Sequence, residues 1–344
     1  MGYDYHGDPR LDPRIKAVSD LLASDEPWPR AKSRDEILAY ARSDRVLAGY
    51  ALSEWAMEMC DVDEVVTSTG LRVETHHVTS QPDNNTINIQ FIRPDSEEVL
   101  ACVYYIHGGG MSTMSCYWGN YRAWGKILAH QGVAVAMVDF RNALAPSSVP
   151  EVSPYPAGLN DCASGLRWLH TEASALGIDE RRIVVSGESG GGNLTLALGM
   201  KLLAEGDVGL VSGLYALSPY IAGSWPRPEY PSTYENEGIW INVHDSQGAM
   251  VYGIEAFEAR DPLAWPSFAT EADVRGLPPV VINVNECDPL RDEGVAFYRL
   301  LLASGVPARC RQIMGTMHGT EVIPNLCPDV THDAARDIAA FARG

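Results

Sequence analysis

A mostly parallel, three-layer α/β fold is predicted by three features of the 344-residue sequence. Leu71 to Val78 and Ile87 to Ile92 alternate apolar with polar residues, as half-buried strands do, around a turn-rich Gln81 to Asn85. Leu100 to Ile106 and Val133 to Val138 are instead continuously apolar, the signature of strands buried on both faces of a parallel sheet. From there onward strand-like and helix-like runs alternate, so an antiparallel start passes into βα repeats.

Taken in order, the chain opens with helices. Asp8-Pro9 reads as an N-cap with proline in the first turn, followed by Leu11, Ile15, Val18 and Leu22 at helical spacing. Pro27-Trp28-Pro29 breaks that helix. Ser33-x-x-Glu36 reads as a capping box opening a second one, which carries Ile37, Leu38 and Ala41 and extends toward Met59. After the hairpin, helices are expected at Gly119 to His130, Asn160 to Leu176, Leu194 to Ala204, Arg291 to Ser304 and Pro328 to Ala342. Strands are expected at Arg182 to Ser186, Leu210 to Leu217, Val280 to Val284 and Ala308 to Ile313. Residues 218–264 lack clean periodicity, are rich in Pro, Trp and Tyr, and read as an insertion.

Composition narrows the function. Hydrophobic residues make up 46% and charged residues 21%, ordinary for a soluble globular protein. A net charge of −19 without a basic cluster argues against nucleic acid and anionic membrane surfaces as partners. Met1 to Arg14 is polar and does not resemble a secretory signal, and no apolar run is long enough to span a bilayer. Seven cysteines (60, 102, 116, 162, 287, 310 and 327) include no Cys-x-x-Cys pair. A disulfide framework or metal site is therefore not expected, and a cytoplasmic protein with reduced thiols is.

The chemistry gathers at three places. Gly187-Glu188-Ser189-Gly190-Gly191-Gly192-Asn193 lies between a strand and a helix, the setting of a nucleophile elbow. Alone, Gly-x-Ser-x-Gly is weak, arising roughly once in five shuffles of this composition, so a flexible loop is the alternative. His107-Gly108-Gly109-Gly110, directly after the run Leu100 to Ile106, is far rarer. Glycines there let backbone N–H groups face a cavity, as an oxyanion hole requires. Neither Gly-Lys-Ser/Thr nor Gly-x-Gly-x-x-Gly follows to make it a phosphate loop. Of nine histidines, His318 alone follows the last strand in a glycine-flanked loop, at the edge of a parallel sheet where sites collect. Glu286, Asp288 and Asp292 compete as its acid partner; the proline after Asp288 extends its backbone, which favours Asp288.

These motifs resemble those of the hormone-sensitive-lipase-like group of α/β-hydrolase esterases, over about residue 65 to the end. His107-Gly108-Gly109-Gly110 is similar to that group's oxyanion motif, Asp139-Phe140-Arg141-Asn142 to its Asp-Tyr-Arg-Leu block, Asp288-Pro289-Leu290-Arg291-Asp292 to its acid motif, and His318-Gly319 to its histidine site. The resemblance implies an α/β-hydrolase fold: a mostly parallel eight-stranded sheet with helices on both faces and a helical cap. Residues 1–60 and 218–264 would form the cap, with 61–217 and 265–344 as the catalytic core. It implies Ser189 as nucleophile, Asp288 as acid, His318 as base, and Gly109, Gly110 and Gly190 as oxyanion donors. No cofactor or metal is implied.

Three departures stand out. Glu188-Ser189-Gly190 replaces the usual Asp-Ser-Ala, Met111 stands where an aromatic often follows the glycines, and Asn142 replaces a leucine. Glu188 reads as a support of the elbow or a solvated residue at the mouth, and Asp139 with Arg141 as a structural pair. Met111, Tyr220, Trp225 and Trp240 are candidate pocket residues, with Tyr230, Tyr234 and Trp265 adding apolar surface. The expected activity is hydrolysis of uncharged short- to medium-chain carboxylic esters, with lactones implied by resemblance alone. An amidase or peptidase using the same residues, and a non-catalytic small-molecule receptor, are the alternatives. The expected partner is a small-molecule ester, and an exposed last strand offers an edge for a homodimer.

Overall fold

A computed structural model describes residues 3–19, 28–244 and 246–344. Its centre is one eight-stranded sheet in the order β1-β2-β4-β3-β5-β6-β7-β8. β1 (Leu71–Ser80) and β2 (Asn85–Pro94) form the antiparallel hairpin, and β2 also runs antiparallel to β4 (Ala134–Asp139). β3 (Leu100–Ile106), β5 (Ile178–Glu188), β6 (Gly213–Leu217), β7 (Val280–Asn285) and β8 (Ala308–Ile313) continue from β4 in parallel. Every residue of β3, β4, β6 and β7 is buried, which is why those runs are apolar without alternation.

Helices cover both faces. α5 (Ala157–Thr171), α6 (Gly190–Glu205) and α10 (Arg291–Ala303) pack on one side, with Leu166, Leu196 and Phe297 in the same buried cluster. α4 (Gly119–Ala129) and α11 (Pro328–Arg343) pack on the other through Trp124, Ile127, Ala335 and Ile338. Ahead of the sheet stand α1 (Pro13–Ala17), α2 (Arg34–Ala41) and α3 (Asp44–Glu58), while α7 (Ser232–Glu235) and α8 (Gly248–Glu258) follow β6 and α9 (Glu271–Val274) precedes β7.

Several local expectations are corrected. The first helix is capped by Asp12 with Pro13 in its first turn, not by Asp8-Pro9. Asp8 makes the same short-range bond, accepting from Arg10 N at 2.8 Å, but turns rather than a helix follow it. Leu22 lies outside the described residues. The second helix ends at Ala41 and a separate one starts after Ser43, whose extended backbone (φ −67°, ψ 146°) interrupts the run. The capping box is half made: Ser33 Oγ accepts from Glu36 N at 3.3 Å, but Glu36 turns to Lys32 N instead. The fifth helix spans Ala157–Thr171 rather than Asn160 to Leu176, β5 begins earlier, at Ile178, and β6 later, at Gly213, after a 3₁₀ turn over Val208–Leu210. All seven cysteines are free, and all but Cys310 are buried.

Asp139 and Arg141 do not pair with one another. Asp139 accepts from Cys116 N at 2.8 Å and Ser148 N at 2.6 Å, and lies 3.4 Å from His107 Nε2. Arg141 reaches the other way, forking onto both oxygens of Asp161 at 2.9 Å and extending to Asp83. Asp161 also accepts from Ser80 Oγ at 2.5 Å. One buried ion pair thereby ties the loop after β4 to α5 and to the tip of the β1–β2 hairpin. Removing one partner leaves the other charged and desolvated, which outweighs the loss of contact itself. Arg141→Met is expected to lower unfolding free energy by about 3–5 kcal/mol in denaturant titration; a loss below about 1 kcal/mol, ordinary for an exposed pair, contradicts this role.

Candidate active site

Parallel strands send their C-terminal loops to one edge of the sheet, and those after β3, β5, β6, β7 and β8 meet there. β5 ends at Glu188, and Ser189 turns the chain into α6 with φ 56° and ψ −115°, a left-handed region costly for a side-chain residue. The turn is held by close backbone packing. A Cβ on Gly191 would overlap Ile106 O on β3, and one on Gly187 would overlap Gly191 O. Ser189 N donates to Leu217 O at 2.9 Å and Ser189 O accepts from Tyr220 N at 3.0 Å, fixing the residue from β6 as well.

His318 stands in the loop after β8, 5% exposed. Its Nε2 is 2.9 Å from Ser189 Oγ and its Nδ1 is 2.8 Å from Asp288 Oδ2. A carboxylate at Nδ1 holds the proton there and leaves Nε2 free to accept. The three acids competing as its partner are separated by their contacts. Glu286 accepts from Gly315 N at 2.8 Å, and Asp292 caps α7 by accepting from Ser232 N at 2.7 Å. Asp288 is fully buried, and its second oxygen accepts from Leu290 N at 2.8 Å.

The glycine loop after β3 lies across the elbow. Gly109 (φ +89°) and Gly110 (φ +61°) take conformations that glycine adopts without strain, and both face the cavity with Ser189. Gly190 is pressed against this loop: a Cβ there would sit 2.7 Å from Gly110 N. Asn142 Nδ2 donates to Met114 O at 2.8 Å, anchoring the loop from β4, a bond that a leucine at this position could not make.

A cavity of about 310 Å³ opens over Ser189. Tyr220 and Trp240 line it, whereas the other two candidate pocket residues lie elsewhere. Met111 is 1% exposed within the core, because its positive φ (58°) turns it inward. Trp225 donates to Glu293 at 2.7 Å and stacks on Tyr220, with ring centroids 4.5 Å apart, so it backs a wall without forming one. Much of the lining was absent from the sequence reading: Met57 on α3, Asn120 and Tyr121 on α4, residues 241–243, and Val322. Met57 and residues 241–243 fall in the segments expected to form the cap, but no linear motif marks them, or Asn120, Tyr121 and Val322, as individual lining residues.

Glu188 departs most from expectation. It is 5% exposed, so it does not solvate the mouth. Its Oε2 accepts from the Tyr121 hydroxyl at 3.0 Å, and its Oε1 lies 3.3 Å from His318 Nε2. Burial pushes its carboxyl up to about 7. Glu321, also buried, accepts from Asn283 and Asn285 beneath the histidine loop. Burial by itself lowers His318, but the charge and hydrogen bond of Asp288 and the charges of Glu188 and Glu321 outweigh it and raise His318 above the ordinary imidazole range.

The α/β-hydrolase fold family matches residues 103–322. Carboxylesterase NlhH of Mycobacterium tuberculosis is 31% identical over 253 residues, 73% of this chain and 76% of that protein. The solved structure of esterase Est22 is 58% identical, covers 98% of this chain and 99% of its own, and superposes with a TM-score of 0.95. That of brefeldin A esterase, a bacterial homologue of human hormone-sensitive lipase, is 34% identical over 98% of this chain and 94% of its own, with a TM-score of 0.85. The chain belongs to the α/β-hydrolase fold family.

Proposed function

We propose that this protein is a serine carboxylesterase, hydrolysing uncharged short- to medium-chain carboxylic esters through an acyl-enzyme on Ser189. The observation that carries the reading is the continuous line from Asp288 Oδ2 through both His318 nitrogens to Ser189 Oγ, beneath a glycine loop. His318 takes the serine proton as Oγ attacks the ester carbonyl, and Asp288 fixes the tautomer and stabilises the imidazolium. N–H groups of Gly109, Gly110 and Gly190 hold the developing oxyanion, helped by the positive end of α6. His318 then protonates the leaving alcohol, and water releases the acid by the same route. The names of NlhH, Est22 and brefeldin A esterase support esters over amides.

Residues 1–60 and 218–264 serve as the cap in this reading. Its support is local: Ile15 and Leu11 pack with Ile239, Ala31 N donates to Gln247 at 2.8 Å, and Arg34 Nε donates to Val251 O at 3.1 Å. The resulting walls are mostly apolar, with Trp240, Ile241 and Val243 opposite Met57 and Val322. A buried acid, Glu188, beside the serine disfavours anionic esters.

Ser189→Ala is expected to lower kcat for p-nitrophenyl butyrate by about 10⁴-fold or more; activity near that of the unsubstituted protein overturns the assignment. A p-nitrophenyl series should give its highest kcat/KM at acetate to hexanoate and fall at palmitate, because a cavity of about 310 Å³ bounds the acyl group. A steady rise to palmitate contradicts it. Gly190→Ala restores the alanine usual in the resembled group, but in this chain its methyl would meet the Gly110 and Met111 backbone and displace the oxyanion donors. Its kcat should drop about ten- to a hundredfold with KM little changed, and an unchanged kcat shows the donors to lie elsewhere.

A further inference from the structure

Three carboxyl groups, Asp288, Glu188 and Glu321, surround the single imidazole of His318, and no lysine or arginine lines the cavity among the described residues. Asp288 and Glu321 are each occupied by hydrogen bonds from other groups, Asp288 from Leu290 N and Glu321 from two asparagine amides. Glu188 differs. Its Oε1 looks at the same nitrogen that meets Ser189 Oγ, at 3.3 Å against 2.9 Å, and it immediately precedes that serine in the chain. The histidine proton in flight during catalysis therefore has two oxygens within reach.

The other oxygen of Glu188 points to the glycine loop. Tyr121, fully buried on α4, accepts from Gly108 N at 2.9 Å and donates to Glu188 Oε2 at 3.0 Å. A Cβ on Gly108 would overlap that oxygen and lie 2.7 Å from the Tyr121 hydroxyl, so the pair is packed directly onto the loop. On the far side Gly319, with φ +68°, leaves room for Oε1 beside the histidine. A run of contacts thus joins His318, Glu188, Tyr121 and the residue preceding the oxyanion glycines.

We propose that Glu188 is a working part of the proton-transfer site, whose charge sets how readily His318 takes and holds the serine proton while Tyr121 ties the same carboxylate to the glycine loop. This rests on the reading of Ser189, His318 and Asp288 as the catalytic residues. When Glu188 is ionised it stabilises the imidazolium formed in the transition state, as a nearby opposite charge does. When it carries a proton that help is withdrawn, and His318 is a weaker base but a larger neutral fraction at a given pH. The ionisable groups facing Glu188 are His318, Glu321 and Asp288 from the catalytic loops, Tyr121 from α4 and Tyr105 from β3. Both tyrosines are buried and stay neutral, so the balance lies among the acids and the imidazole.

The direction of the pH effect follows. Hydrolysis needs neutral His318, and a negative Glu188 raises the pH at which His318 gives up its proton. The acid limb of kcat/KM accordingly lies above the ordinary histidine value. Removing the charge moves the limb to lower pH while reducing the alkaline plateau, because the imidazolium loses a partner. A merely structural role for Glu188 lowers activity without moving the limb.

The test is kcat/KM against pH for p-nitrophenyl butyrate with the full chain, Glu188→Gln and Glu188→Asp, each normalised to the fraction labelled by a serine-directed phosphonate. Glu188→Gln should shift the acid limb down by at least about half a unit and lower the plateau about three- to thirtyfold. Glu188→Asp, keeping the charge, should hold the limb above that of the glutamine variant. A limb left in place by Glu188→Gln, whatever the plateau does, overturns the proposal. Should the glutamine variant not fold, Tyr121→Phe decides. Losing the hydroxyl favours protonated Glu188, so the limb must again move down, and an unmoved limb refutes the idea. Absence of labelling and turnover in the unsubstituted protein is a separate result, which removes the esterase reading itself.

Discussion

The strained turn at Ser189 is the constraint on which the remainder of the site depends. A residue with a side chain at φ 56° persists only where its surroundings over-determine it. Here β3, β5 and the first turn of α6 close on one another so tightly that side chains are excluded at Gly187 and Gly191. That packing raises the serine hydroxyl above the sheet edge and brings the α6 N-terminus and the glycine loop to the same point. The sheet order places β7 and β8 beyond β6, so Asp288 and His318 arrive from the adjoining loops.

Burial of charge is the second organising feature, used differently in two places. Arg141 and Asp161 neutralise each other in a fork that pins three segments behind the sheet edge. At the site, acids outnumber bases, and the imidazole is the one group able to answer them with a positive charge. An excess of buried carboxyl groups costs stability when they ionise, yet it favours the imidazolium that acyl transfer must form. Glu293 belongs to the supporting layer: it accepts from Ile221 N, Ala222 N and Trp225 Nε1 and so fixes the segment carrying Tyr220.

Much of the fold was legible because buried parallel strands leave continuous apolar runs and the half-buried hairpin alternates, and all eight expected strands belong to one sheet. The serine and glycine motifs were legible because close backbone approach demands glycine at fixed offsets. Other parts were not. Asp8-Pro9 and Asp12-Pro13 offer the same capping pattern, and both aspartates accept from the backbone N–H two residues on and pair with that residue's guanidinium, yet only the second is followed by a helix. Trp225 and Trp240 look alike in sequence, but one has Glu293 to take its indole N–H and sits behind the wall. Tyr121 is one of two buried aromatics on α4, with Trp124, and nothing local shows that its hydroxyl reaches Glu188 and Gly108. Glu188 itself was read as an accessory of the turn because a linear motif records its neighbour, not the histidine that folds over it from residue 318.

The central claim is that Ser189 carries the acyl group while His318, oriented by Asp288, moves its proton. Mass spectrometry of peptides after brief reaction with a p-nitrophenyl alkylphosphonate tests this most directly. The account predicts one adduct per chain, on the peptide containing Ser189, with adduct formation slowed sharply in His318→Ala. An adduct on a different residue, or equally rapid labelling without His318, contradicts it.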